Sequence, residues 1–430
     1  MERLTATLAR PAGLGLARLA PDRRAIAVAT FAGFGLVDIL ALAMHARHGD
    51  ATFAFSPEFA KVTVPNLALP AAVTSYVCGA VSLAAAIARA VVPLGTVARR
   101  AAMGAVLFCF VVALLCWSDV GQTVPLNAVN LLQGTIAASI PLILCALAGC
   151  TSERSGVINI ALEGKLLFGA FAAAIVTSAF GSLWLGLISG ALAGGLLGAM
   201  LAVFAIRYLV DQVVLGVVLN VFAAGLTQFL FDRVLTPYDN TLNSPATFRA
   251  VKIPLLGDIP IIGPVFFDST VFLYITYVML VVVQVGLFST RWGLRVRAVG
   301  EHPVAAETVG ISVLATRYRN VILAGLLAGV GGAYLSIGSV GSFQPNMSSG
   351  MGYIALAAVI FGRWTPLGSM GAALLFGFTL ELQSVLASIN VPIPSNILLM
   401  TPYVATIVAV AGLVGHVRAP QADGQPYIRA

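Results

Sequence analysis

Apolar residues run along this chain in long unbroken blocks. They occupy positions 25–44, 69–88, 102–118, 128–150, 157–179, 183–206, a stretch ending at Phe231, 269–289, 320–343, 368–387 and 397–415. A helix needs about 20 apolar residues to cross the hydrocarbon layer. Barrel strands would alternate apolar with polar positions, and these blocks do not. The pattern predicts an all-α fold, a polytopic transmembrane helix bundle with about 10–12 membrane helices. One run, 353–362, is apolar but short, and Arg363 and Pro366 interrupt it. It is either a short crossing or a broken helix. A crossing keeps the two sides alternating to the end of the chain and is the favoured reading.

Arginine sets the orientation, because cytoplasmic loops collect Arg and Lys. Arg3, Arg10, Arg18, Arg23 and Arg24 place the first segment inside, and Arg89, Arg99 and Arg100 do the same for a later loop. The strongest signal is Arg291, Arg295, Arg297, Arg317 and Arg319, between two blocks. Arg418 and Arg429 put the tail inside, while 46–66, 119–127 and 232–267 fall outside. The first block is too long for a signal-peptide core of roughly 7–15 residues, so it reads as an uncleaved helix.

Composition narrows the class. Of 430 residues, 59% are hydrophobic and 10% charged, and the mean hydropathy is +0.97. Soluble domains are nearer 45–50% apolar and about 25% charged. Disorder, nucleic-acid binding and a soluble enzyme are excluded, and no segment is polar enough for a separate soluble domain. The net charge of +7 reads as topology. Cys78, Cys109, Cys116, Cys145 and Cys150 lie in or at the ends of apolar runs without metal-ligand spacing. They read as small core residues.

Gly186, Gly190, Gly194 and Gly198 recur every four residues, as do Gly325, Gly329 and Ala333. Such stripes let helix backbones approach closely, here within one subunit. Asp38, Asn159, Glu163, Lys165, Asp211, Asn220, Gln228 and Glu381 lie in or beside the apolar blocks. Polar groups at that depth face protein or a water-filled cavity. Asn159 and Glu163, four apart, would share a helix face, and they are the first candidates for a substrate path. Glu163 also has a structural reading, as a partner of Arg154 or the cap of a helix start. Asn346 and Ser348 are the second pair of candidates, at the outer mouth. Asp38 reads as structural. There is no phosphate-binding loop, since Gly164–Lys165 is followed by Leu166. No catalytic constellation or metal-ligand cluster is present, and His45, His48, His302 and His416 form no proton relay.

The segment 291–320 stands apart from an ordinary loop. Pro303 suits the first position of a helix, where its missing N–H costs little. Ala305, Ala306, Glu307 and Thr308 continue one or two turns, and Gly310 supplies a stop. A short helix is thus held in the cytosol, with small alanines on a face that a partner's groove could close around.

The run AAETVGI, within GLRVRAVGEHPVAAETVGI at 293–311, resembles the coupling loop of ABC importer permeases. The full string is similar to the branch serving simple sugars and nucleosides, in the same broad family as ribose and branched-chain amino acid permeases. ERSGVINIALEG at 153–164 and NMSSGMGYIALAAVIFGRWTPLG at 346–368 carry the same resemblance, in the family's order. Lys165, next after the first of these, departs from the neutral residue expected there. The resemblance implies a permease core over 126–415, an N-terminal extension of about three helices over 1–125 and a cytoplasmic tail over 416–430. It implies a multi-pass bacterial plasma-membrane subunit of an ATP-driven importer for a nucleoside or simple sugar. ATP hydrolysis is then expected on a separate ABC ATPase chain, so the subunit is not an enzyme and needs no cofactor of its own. The ATPase would dock on Gly300, Glu301, Pro303, Ala305, Ala306, Glu307, Gly310 and Ile311. A second permease, as a heterodimer, and an extracytoplasmic substrate-binding protein complete the set, with membrane lipid around it and no nucleic acid. The rival reading is an ion-gradient-driven secondary transporter of a small polar solute. The scarcity of membrane acids and histidines speaks against it, and a membrane-embedded enzyme lacks any catalytic group.

Overall fold

The computed structural model describes residues 23–44, 49–56, 64–92, 95–122, 124–389, 391, 397, 400 and 418–428. Two compact units divide them, one built on residues up to 53 and 66–126, the other mainly on those from Asn127 onward. Ten helices among the described residues are long and apolar enough to cross a membrane. Most of the block 397–415 lies outside the described residues.

In the first unit, α1 (Arg23–Leu36) continues through a π-helical stretch to Ala43. A hairpin of β1 (Asp50–Ala54) and β2 (Leu67–Pro70) leads into α2 (Ala71–Val91), and α3 (Thr96–Asp119) follows. Phe31, Ala86, Met103 and Val106 form one small core and Leu42, Cys78 and Ala113 another. Asp38 is fully buried there, and its carboxylate has no hydrogen-bond partner among the described residues.

The second unit opens with α4 (Ala128–Glu153), whose first amides are capped by the side chain of Asn127. Then come α5 (Leu162–Phe180), α6 (Leu183–Ala202), α7 (Gln212–Leu230) capped by Asp211, and α8 (Val271–Ser289). The polar connection between α7 and α8 holds a small hairpin of β3 (Ala250–Lys252) and β4 (Asp268–Thr270). Next are α9 (Arg291–Glu301), α10 (Pro303–Thr308), α11 (Val313–Ala333), α12 (Met351–Phe361) and α13 (Pro366–Ser388).

Two boundaries depart from the apolar blocks for one reason. α3 begins at Thr96 and α11 at Val313, ahead of their apolar runs, because each has a polar first turn or two carrying arginine. α9 is a helix where hydrophobicity alone suggests a linker. It is amphipathic and tucks Val296, Val299 and Gly300 inward.

The glycine stripes meet inside this unit. α6 and α11 cross with Gly194 against Gly325 and Gly329, and Gly198 against Val321 and Gly325. Those contacts run in opposite chain directions, so α6 and α11 are antiparallel. α13 likewise lies antiparallel to α4: Ser369 meets Cys150 at 3.2 Å, and Glu381 packs on Gly134.

The run at 353–362 has a composite solution. α12 has 11 residues and so reaches only about 16 Å, half the hydrocarbon thickness. The irregular segment 341–350 supplies the other half. It leaves α11 at the end opposite Arg207 and brings Ser348 and Gly350 to Glu163. α12 then ends beside Glu153, where Trp364 Nε1 donates to its carboxylate at 2.5 Å. The crossing is complete, but only half of it is helix.

This topology predicts opposite accessibility for two exposed positions, Ser244 and Thr308. A cysteine at 244 is expected to react with an impermeant thiol reagent in intact cells, and one at 308 only after permeabilisation. The reverse pattern would invert the assignment of sides.

Candidate transport path and coupling surface

Backbone breaks at bilayer depth occur where the chain is buried in protein or lines a cavity. Two such breaks meet here. In the first, the chain turns at Gly156 (φ +87°) after α4 and climbs back into the bundle. Ile158 N donates to Gln212 Oε1 at 2.8 Å, at the start of α7. Ile160 O and Gly164 N bond the amide of Asn220 at 3.0 and 2.8 Å. Asn220 lies about 12 Å further along α7. α5 therefore starts well inside the bundle. The second break is the start of α12, facing the same place.

Glu163 joins the two breaks. One carboxylate oxygen accepts from Ser348 Oγ at 2.6 Å and Gly350 N at 2.8 Å, and the other from Gly352 N at 2.6 Å. These amides are the unpaired donors at the start of α12, where a negative charge also complements the helix dipole. At the far end of α12, Arg154 Nε donates to Trp364 O at 2.9 Å and Nη2 to Arg363 O at 3.2 Å. A cation there complements the opposite pole. The run 153–164 thus clamps 346–368 at both ends, and two motifs distant in sequence form one device.

The structure sorts the candidates. Of the two structural readings of Glu163, its hydrogen bonds fit the helix cap; Arg154 serves the other end of α12 and does not pair with it among the described residues. Asn159 and Glu163 do not share a helix face, because 157–161 is irregular and α5 begins only at Leu162. Asn159 instead accepts a hydrogen bond from Nζ of Lys165, which is fully buried, and its own Nδ2 is buried without a partner among the described residues. Ser348 is brought to Glu163. Asn346 is not: it sits in left-handed backbone (φ +57°) with an exposed side chain. Asn220 and Tyr353 were missed as site residues. Asn220 Nδ2 donates to Tyr353 Oη at 3.0 Å, and the tyrosine is 47% exposed. The signal for Asn220 was an amide inside an apolar helix; Tyr353 lies in the run 346–368, but nothing in the sequence marks its hydroxyl as the partner of Asn220.

At the Arg-rich end, α10 follows the expected plan. Pro303 occupies the first turn, and Gly310 (φ +84°) closes it. Ile311 N bonds Ala306 O at 3.1 Å and Gly310 N bonds Glu307 O at 2.9 Å, a Schellman closure. The face it offers is not the expected one. Ala306 is only 3% exposed, because it packs on Val299, Val313 and Tyr427 of its own chain. The outward face carries Val304, Ala305, Thr308 and Val309, with Leu294 of α9 also exposed. Residues 418–428 lie against this segment: Ala422 N donates to Gly300 O at 2.8 Å, and Tyr427 Oη to Glu307. Burial pushes the Asp423 carboxyl up to about 8; the charge of Glu153 adds to the rise, and Arg317 opposes it.

The described residues hold ten long apolar helices, two backbone breaks that meet at Glu163 and a short helix at the Arg-rich end, the layout of a polytopic membrane protein. The family model described as "Branched-chain amino acid transport system / permease component" matches residues 131–416. The chain is 41% identical over 308 residues to the guanosine ABC transporter permease protein NupQ of Bacillus subtilis, covering 70% of this chain and 96% of that one. It is 40% identical over 318 residues to the nucleoside ABC transporter permease protein NupC of Lactococcus lactis, covering 71% and 100%. A putative glucose ABC transporter permease protein of Haloferax volcanii, TsgC13, is 34% identical over 273 residues, covering 63% and 81%. No solved structure matches. The chain belongs to the family of branched-chain amino acid transport system permease components. It is a multi-pass protein of the bacterial plasma membrane and the permease component of an ABC importer, a transport subunit and not a secondary transporter or an enzyme.

Proposed function

We propose that this permease carries a nucleoside, with a simple sugar as the second reading. The observation that carries it is the similarity at 41% and 40% identity to permeases named for guanosine and nucleosides, against 34% for a putative glucose permease. The site chemistry agrees. A nucleoside needs an aromatic surface for its base and amide or hydroxyl groups for its polar edges. Tyr353, Ser349 and Asn346 present such groups on one exposed stretch beside the break. Glu163 and Ser348 hold that stretch in place, while Asn159 and Lys165 are buried and bond each other.

Two permeases form the path as a heterodimer. The support is that both members of two named pairs, NupP with NupQ and NupB with NupC, resemble this chain. An ABC ATPase on a separate chain docks at 291–311 and binds the ATP; the permease carries no cofactor. An extracytoplasmic binding protein delivers the cargo at the opposite end. ATP binding draws the ATPase pair together, shifts α9 and α10, and rocks the bundle between outward and inward access.

The test uses the full complex in proteoliposomes. ATP-dependent uptake of labelled guanosine should exceed that of glucose, with no uptake driven by an imposed ion gradient alone. Glucose uptake faster than guanosine uptake sinks the nucleoside reading. Within the same system, Val304→Arg with Val309→Arg should lower ATPase co-purification by about tenfold or more, without affecting membrane insertion. Undiminished co-purification would remove the outward face of α10 from the docking surface.

A further inference from the structure

Arg317 is a guanidinium almost wholly withdrawn from solvent, 2% exposed, in the second turn of α11. Burying an arginine is costly unless its donors are satisfied. No acidic side chain makes a salt bridge with it among the described residues. The tail supplies partners for its two Nη groups, while Nε is buried without a hydrogen-bond partner among the described residues. Nη1 donates to Gln425 O at 2.9 Å, Nη2 to Ala422 O at 3.5 Å, and the charge lies over the Tyr427 ring at 6.0 Å. The same eleven residues hold the coupling segment. Gln421 N donates to Glu301 at 3.3 Å, Ala422 N to Gly300 O at 2.8 Å, and Tyr427 Oη to Glu307. They also touch the inner break, where Gly424 packs against Ile158 and Ala422 O lies beside Gly156. One short segment therefore grips three elements: α9–α10, the foot of α11, and the loop from which the chain climbs toward Glu163.

We propose that residues 418–428 form a strap that makes the ATPase-coupling helices and the inner loop of the path move as one body, with Arg317 and Tyr427 as its positioning residues. This rests on 291–311 being the ATPase-docking element. Without the strap, α10 is six residues long and held to the bundle chiefly by one alanine, too little for a stiff lever. With it, a displacement of Glu301 or Glu307 is passed through the tail backbone to Arg317 and to 156–158.

The readout is ATP hydrolysed per cargo molecule taken up by the reconstituted complex, a ratio that mere loss of folded protein does not move. Truncation before Arg418 should leave the ATPase bound and hydrolysing while uptake falls, raising the ratio about tenfold. Tyr427→Phe, which deletes only the hydroxyl on Glu307, should raise it about threefold. If the truncated chain fails to assemble, Tyr427→Phe alone decides. An unchanged ratio in an assembled truncation, or in Tyr427→Phe when the truncation is lost, overturns the strap. An unmodified complex that fails to retain the ATPase, or a Val304→Arg/Val309→Arg variant that retains it fully, overturns the docking reading instead.

Discussion

Glu163→Ala is expected to abolish uptake and to lower the stability of the solubilised permease by about 4 kcal/mol, mainly by stranding three donors. The hydroxyl of Ser348 and the amides of Gly350 and Gly352 point at its carboxylate at 2.6–2.8 Å. Each buried donor left unmade costs about 1–3 kcal/mol, and the lost charge at the start of α12 adds up to about 2 kcal/mol in a partly buried site. Such terms are not additive, so the total falls below their sum. Glu163→Gln separates the contributions. It keeps one acceptor oxygen but turns an NH2 group toward a donor, so an intermediate loss is expected. Thermal unfolding followed by size-exclusion chromatography reads both variants, and vesicle uptake reads function. Wild-type stability with impaired uptake would make Glu163 a cargo ligand rather than a clamp. Wild-type behaviour in both assays would remove it from the functional list.

How much of this was legible in the sequence depends on how local the cause is. Helix existence was legible, because a crossing needs an uninterrupted apolar block and nothing else fits lipid. The stop at Gly310 and the start at Pro303 were legible because each is a backbone property of one residue. The starts of α3 and α11 were not, since a helix that carries arginine beyond the apolar layer looks like loop to a hydrophobicity count. The clamp on α12 was half legible. A carboxylate at Glu163 suggested a cap, but the capped helix starts almost two hundred residues later, and no spacing rule connects them. The face of α10 was misread for a similar reason. Small size marks Ala306 and Ala305 equally, and only tertiary packing on Val299, Val313 and Tyr427 turns the first inward. The strap left no trace, because its bonds run mostly from backbone carbonyls and amides, which every residue has.

Gly329→Leu should be the most damaging single change in the bundle core. Lipid offers apolar side chains no incentive to leave it, so helix association in membranes rests on close packing. Gly329 sits where α5, α6 and α11 meet. A Cβ on Gly169 would come within 2.6 Å of Gly329 O, one on Gly194 within 2.6 Å of Gly329 Cα, and one on Gly329 itself within 3.0 Å of Ala191 Cα. These neighbours are backbone atoms, which cannot rotate aside, so a leucine has to separate the helices. Overpacking a well-filled core costs about 1–3 kcal/mol and sometimes more, and here the added group meets the backbone of α6 directly, with Gly190 O within 2.3 Å. Insertion is not the weak step, because leucine is more favourable in the bilayer than glycine. The variant should therefore reach the membrane at normal abundance but elute as a broad or aggregated species and transport nothing. Gly225→Leu is the matched control, since Gly225 is exposed on α7 and a Cβ there meets nothing within 4 Å. It should elute and transport as the unmodified protein does. If Gly329→Leu behaved like Gly225→Leu, the α5–α6–α11 crossing could not be as close as the backbone contacts require.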